Sequence, residues 1–282
     1  MEFLEHILSH TAEDSVRMLP FLFAAFLLLE GLEHYSSAWI RRTLTKLEKA
    51  GPVVGALFGC IPQCGFSVMA ANLYAGGVIS VGTLLAVFLA TSDEAVLILI
   101  GHPGNGAEIA ALLVAKAVIA ILAGYLADLF FARFISTKKE IEVLCHLCGC
   151  HVHLGILRPA LNDSVRLFGY IFICTLILNA VIEGAGLESV STFLLSGSIL
   201  QPFLAALLGF IPNCAASVLL TELYLGGALS FASVIAGLCT NAGVGLIVLF
   251  KVDPDKLECV KFTGLLYACG VIAGVVLHLA GL

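Results

Sequence analysis

Residues 51–80, GPVVGALFGCIPQCGFSVMAANLYAGGVIS, return 150 positions later as QPFLAALLGFIPNCAASVLLTELYLGGALS, residues 201–230. Aligned without a gap, fourteen of the thirty positions are identical, Pro52/Pro202, Pro62/Pro212, Cys64/Cys214, Ser67/Ser217 and Gly77/Gly227 among them. The register extends outwards. DSVR occurs at 14–17 and at 163–166, and AGYLADL (123–129) faces AGVVLHL (273–279). An internal repeat of this kind sets the architecture before any single residue is interpreted. The chain divides into two homologous halves, 1–135 and 157–282, joined by a polar linker, 136–156.

Composition sets the class. Of 282 residues 60% are hydrophobic and 12% charged, and the mean hydropathy is +1.06. Soluble domains carry about 25% charged residues, so this chain lacks the polar surface to cover a globule. Runs such as MLPFLFAAFLLL and AALLVAKAVIAILAGYLADLFF approach or exceed the ~20 apolar residues that a helix needs to cross a bilayer. The alternation of a membrane β-barrel is missing. The expected fold is therefore an all-α polytopic membrane protein embedded in the lipid bilayer. Its start, MEFLEHILSHTAEDSVR, is acidic, lacks the basic head of a signal peptide, and reads as an interfacial helix.

Charge places the halves in opposite orientations. Lys and Arg gather in cytoplasmic loops. They follow the first span of half one (Arg41, Arg42, Lys46, Lys49) but precede that of half two (Lys138, Lys139, Arg158, Arg166). Each half then crosses an odd number of times, which defines an inverted-topology repeat. Five helical elements are expected per half. They are 16–39, 52–61, 64–75, 79–100 and 107–133 in the first, and 166–186, 202–211, 214–225, 229–250 and 260–280 in the second. The linker falls inside the cell, with both termini outside.

Pro62 and Pro212 break their helices, because proline removes a backbone hydrogen bond and clashes with the preceding turn. Freed backbone groups at membrane depth are tolerated only against protein or a water-filled cavity. A break repeated in both halves is therefore expected to line a substrate site where the halves meet. Its side chains are Gln63 and Asn213, Cys60, Cys64 and Cys214, and Ser67 and Ser217. Small buried thiols also serve simply as packing, and Cys60, opposite Phe210, is the weakest of the set. A second interruption, ATSDEAV (90–96), faces CTNAGVG (239–245). With a one-residue gap, Thr91–Ser92 aligns with Thr240–Asn241, and Asp93 and Glu94 face Ala242 and Gly243. Acids at membrane depth are costly and usually functional, so Asp93 and Glu94 are the candidates for proton or ion coupling, unless this turn sits at the interface. Glu222 and Lys116 are further intramembrane candidates, and Lys116 could instead snorkel. Glu30, Glu33 and His34 read as interfacial.

In the linker, CHLCGCHVH (145–153) places Cys145, His146, Cys148, Cys150, His151 and His153 within nine residues. Thiolates at C-x2-C spacing with imidazoles suit Zn²⁺ or another soft ion, and cytoplasmic thiols stay reduced. With a single C-x2-C this is no zinc ribbon, and a loading, sensing or gating site fits better than a merely Cys/His-rich connector. No other cofactor is expected, and no nucleic-acid partner.

The paired GxIPxC motifs, the TSDEA turn and the Cys/His-rich loop resemble the bacterial ten-span heavy-metal exporters. These are distant relatives of the organoarsenical permeases, and some members are labelled manganese transporters. The resemblance implies an inner-membrane efflux permease without an ATPase domain. It also implies a site built from Pro62, Gln63 and Cys64, Pro212, Asn213 and Cys214, and Ser92, Asp93 and Glu94. The departures at Phe210 and at Ala242–Gly243 make that site lopsided.

The expected function is thus secondary transport, not enzymology: proton-coupled export of a soft metal, metalloid or organometalloid, with a homodimer allowed. The alternative is a carrier of a small anion bound by amides and half-helix dipoles. An ion channel fits the broken repeat and asymmetric acids less well. A thiol oxidoreductase would want two residues between its cysteines, where CIPQC has three. GHPGNGAE (101–108) lacks the GK[ST] ending of a nucleotide-binding loop, so the chain cannot by itself be an ATP-driven pump.

Overall fold

A computed structural model describes residues 50–61, 64–91, 95–96, 106–130, 200–211 and 214–281, with isolated positions 20, 23, 27, 161, 165, 168, 169, 172 and 198. All regular structure among them is helical. Half one contributes α1 (Gly51–Gly59), α2 (Cys64–Ala75), α3 (Val81–Ala90) and α4 (Gly106–Phe130). Half two contributes α5 (Gln201–Gly209), α6 (Cys214–Leu225), α7 (Phe231–Thr240), α8 (Val244–Val252) and α9 (Lys256–Leu279).

The repeated sequence folds into repeated local devices. Pro52 and Pro202 occupy the first turns of α1 and α5, where no intrahelical donor is lost. Gly77 and Gly227 take φ of 71° and 73°, closing α2 and α6 as the left-handed residue of a Schellman turn. The next amides, Val78 and Ala228, donate back to Leu73 O (2.8 Å) and Leu223 O (2.9 Å). Ser80 and Ser230 then cap α3 and α7, accepting from Thr83 N (3.1 Å) and Ser233 N (3.2 Å).

The capping shell differs between the halves. Asp128 of α4 accepts from Ser80 Oγ (2.9 Å) and Gly82 N (2.7 Å). In half two, Gln201 Oε1 accepts from Ser233 Oγ (2.9 Å) and Ser230 N (3.2 Å). The task thus passes from a late residue of α4 to the first residue of α5. The counterpart of Gln201 is Gly51, where even a Cβ would lie 2.2 Å from Thr83 Oγ1, so no capping side chain fits there.

Within each half the packing repeats as well. α3 lies between α1 and α4, and α7 lies between α5 and α9. Gly124 and Gly274 set the same close approach, each leaving space for a Cβ only 2.8 or 3.0 Å from the Cβ of Pro52 or Pro202. Across the halves, α2 packs along α8 and α3 meets α7. Phe262 of α9 seals that junction, its ring 5.6 Å from Phe88 and 6.3 Å from Tyr74 between centroids.

Among the described residues, three stretches are long and apolar enough to cross a membrane: Ile109–Phe130, Phe231–Val252 and Lys256–Leu279. The middle one is 89% buried against 22% and 28% for the others, so α7–α8 is central while α4 and α9 turn a face outwards. On α4 that face carries Val114, Val118, Leu122, Leu126 and Leu129, an i, i+4 stripe suited to lipid. The protein is accordingly an all-helical polytopic membrane protein.

One helix start differs clearly from the sequence expectation. The last helix begins at Lys256 rather than 260, because Asp255 accepts from Leu257 N (3.0 Å) and Glu258 N (3.2 Å) and so caps a full turn earlier. Segment 229–250 is parted at 241–243, inside the 239–245 interruption expected from the sequence.

Candidate functional site

Helix ends converge at the junction of the halves. α1 ends at Gly59 against the end of α3, where a Cβ would lie 2.5 Å from Val87 O and 2.8 Å from the Cβ of Ala90. α5 ends at Gly209 against α7 in the same way, where a Cβ would lie 2.1 Å from Gly237 O and 2.3 Å from Thr240 Oγ1. Each half thus brings the ends of two of its helices together, α1 with α3 and α5 with α7. The halves then touch there. The start of α8 packs on the second turn of α2, with Gly245 leaving space for a Cβ only 2.7 Å from the Cβ of Ser67.

The second break of half two, at 241–243, falls within the described residues. α7 ends at Thr240, Ala242 N turns back to Thr240 O (2.9 Å), and Asn241 Oδ1 accepts from Gly243 N (3.1 Å). Gly243 has φ 54° and ψ −139°, a region open to glycine and strained for other residues. Thr240 Oγ1 donates within its own helix to Gly237 O (3.0 Å) or across to Ala206 O of α5 (2.7 Å). Unwound backbone buried at 0–3% exposure is thus supported by an amide and a hydroxyl. We expect Gly243→Ala to lower stability by roughly 1–3 kcal/mol through backbone strain. Thermal unfolding of the purified variant measures it, and an unchanged midpoint would contradict the strained turn.

The equal lengths of α3 and α7 remove the expected one-residue gap. Thr91 and Asn241 both cap their helices at the C-terminus, so Thr91 is the counterpart of Asn241 rather than of Thr240. Asp93 then faces Gly243, and Glu94 faces Val244.

Lys116, in the middle of α4, is fully buried. Its Nζ donates to Thr91 O at the end of α3 and to Leu238 O in the last turn of α7 (2.8 Å). One cation therefore joins helix ends from both halves, and snorkelling is ruled out. Cys60, the half-buried residue that closes α1, and Cys239 of α7 are within electrostatic reach of it.

Of the expected site residues, Ser67 (0%), Ser217 (1%), Thr91 (3%), Thr240 (0%), Asn241 (3%) and Lys116 (0%) are buried. Cys64 and Cys214 open α2 and α6. Glu222 is exposed, two turns further along α6, and does not join them. Pro62, Gln63, Pro212, Asn213, Ser92, Asp93, Glu94 and the linker ligands Cys145–His153 lie outside the described residues. Among the described residues no group of three or more His, Cys, Asp and Glu side chains could hold a metal ion. Sequence reasoning passed over the buried thiol of Cys239, which directly precedes Thr240. It also passed over Asp253 and Glu258, buried carboxylates flanking the cap of α9. The acid-rich KVDPDKLE reads as an ordinary polar loop, and only its burial distinguishes it.

Broken helices meet at a buried junction in an all-helical bundle whose long apolar helices mark a multi-pass membrane protein. A family model described as "Putative, 10TM heavy-metal exporter" matches residues 3–196, more than half of the chain. The chain belongs to that family. No curated protein and no solved structure matches it.

Proposed function

We propose that the chain is a secondary exporter of the inner membrane, carrying a soft heavy metal, a metalloid or its organic derivative by alternating access of two inverted halves. The observation that carries this reading is the convergence of α1, α3, α5 and α7 ends at one buried junction, with Cys64 and Cys214 opening the next helices. Half-helix ends at a repeat interface are where secondary transporters bind substrate and coupling ion. Thiolates select soft ions over Mg²⁺ and Ca²⁺. The family description supports heavy-metal export.

In this mechanism Gln63, Asn213, Ser67 and Ser217 line the path beside the two thiols. Asp93 and Glu94, on the chain just past Thr91, exchange protons as the halves rock. The Cys145–His153 cluster on the cytoplasmic linker collects cargo or holds Zn²⁺. No chemical bond of the substrate changes, so no catalytic residue is invoked.

The test is a panel of metals and metalloids measured by mass spectrometry in expressing cells. At least one soft element is expected at a several-fold lower level than in cells without the chain. Asp93→Asn/Glu94→Gln should restore accumulation with undiminished membrane expression. A panel with no depleted element would sink the export reading, and full export by the double variant would sink the coupling role alone.

A further inference from the structure

Tyr74, in the last turn of α2, sits on the seam between the halves. It is 4% exposed, and its ring lies against Phe262 of α9. Its hydroxyl has no hydrogen-bond partner among the described residues. A buried donor in that position gives up the bonds that water would supply, and native structures rarely keep one without a use. What the hydroxyl faces is acidic and belongs to the other half. Glu258, then Asp253, Cys259 and Asp255, are the ionisable groups within electrostatic reach of it. Glu258 also shares the buried face of α9 with Phe262 and Leu266, one turn before the ring on which Tyr74 rests. Asp253 and Asp255 accept from backbone amides of the turn into α9, and Cys259 Sγ donates to Leu249 O. A carboxylate offers about four acceptor positions, so Glu258 can take a phenol whatever else it binds.

Both members of the pair recur at the 150-residue offset. Tyr224 repeats Tyr74, and Glu108, the third residue of α4, repeats Glu258, the third residue of α9. The two tyrosines nevertheless stand in different settings, because Tyr224 is only half-buried. Inverted repeats alternate by moving one half against the other, and a contact between α2 and α9 is one that such a movement changes. We propose that Tyr74 and Glu258 form a latch between the halves, open in this conformation and closed, hydroxyl onto carboxylate, in the opposite one. Hydrogen bonds to an ionised acceptor are roughly twice as strong as neutral ones. The closed latch therefore favours the second conformation, and the unbonded hydroxyl disfavours the first. Tyr224 and Glu108 supply the equivalent latch in the repeat. The latch rests on the proposed alternation of the halves.

The experiment pairs thermal unfolding of the purified full-length protein with the export rate of the element that the metal panel identifies. Tyr74→Phe removes only the hydroxyl. Its midpoint is expected to rise, by on the order of 3 °C, because the deleted group is buried and unbonded in this conformation. Its export is expected to fall several-fold, because the second conformation loses its latch. A variant that merely folded badly would export less and unfold lower, so it cannot imitate this pair of results. Glu258→Gln locates the acceptor: in that background Tyr74→Phe should change the export rate little, since the charged partner is already gone. A midpoint at or below wild type overturns the unbonded hydroxyl and the proposal with it. Undiminished export by Tyr74→Phe overturns the latch, and so does a several-fold loss that persists in the Glu258→Gln background. If Glu258→Gln gives no folded protein, Tyr224→Phe decides: a several-fold loss of export supports the latch, and wild-type export overturns it. A wild type that depletes no element ends the proposed function and the latch together, whereas failure of the latch alone leaves wild-type export intact.

Discussion

Gly209→Ala is expected to leave little correctly folded protein. The added methyl would sit 2.1 Å from Gly237 O and 2.3 Å from Thr240 Oγ1, distances that only separation of α5 from α7 can relieve. The nearer obstacle, Gly237 O, is backbone, so no side-chain rotation relieves it. Separation would also stretch the Thr240 Oγ1 to Ala206 O hydrogen bond of 2.7 Å that crosses the same interface. Overpacking a well-filled interior costs roughly 1–3 kcal/mol, occasionally more, and two opposed backbones belong at the upper end. Gly59→Ala, against Val87 O at 2.5 Å, should behave alike. Gly264→Ala is the control: its methyl meets nothing within 4 Å, and alanine favours a helix by about 1 kcal/mol over glycine. Size-exclusion profile and thermal unfolding in detergent measure all three. A Gly209→Ala protein as stable as Gly264→Ala would mean that α5 and α7 do not approach so closely.

The double variant Cys64→Ser/Cys214→Ser is expected to return cellular metal to the level found without the exporter, while the protein is still made and inserted. Serine keeps the size of the side chain but replaces a soft donor by a hard one, and selectivity for a soft ion follows donor softness. The two cysteines stand at equivalent places, each the first residue of the helix beyond a proline break. Each single variant should lose part of the export. Cys60→Ser is expected to keep most of it, since its counterpart is Phe210, whose ring stacks on Tyr267 at 5.7 Å rather than offering a donor. Uptake and efflux time courses of the depleted element provide the measurement. Undiminished export by the double variant would end the thiol reading and favour an anion held by amides.

Much of this architecture is legible in the residues. The gapless 51–80/201–230 alignment reappears as paired proline-started helices, paired Schellman glycines and paired serine caps, because each device depends on two to five neighbouring residues. Break positions are legible for the same reason: proline and the TN-AG turn act through local backbone sterics. The seat of Lys116 is not. Its partners are 25 and 122 residues away, and a lysine in an apolar helix is equally compatible with reaching for the interface. Asp128 and Gln201 show the same limit. They perform one capping task from unrelated places in the repeat, and no alignment of the halves would pair them.

By itself, then, the sequence determined the class, the duplication and the places where helices stop, since these follow from composition and short-range backbone geometry. Which helix ends meet, and that one buried ammonium joins the two halves, was decided by tertiary structure. Those contacts depend on glycine-sized gaps between backbones and on carbonyls left over at helix ends, and neither is encoded near the residues that come to fill them.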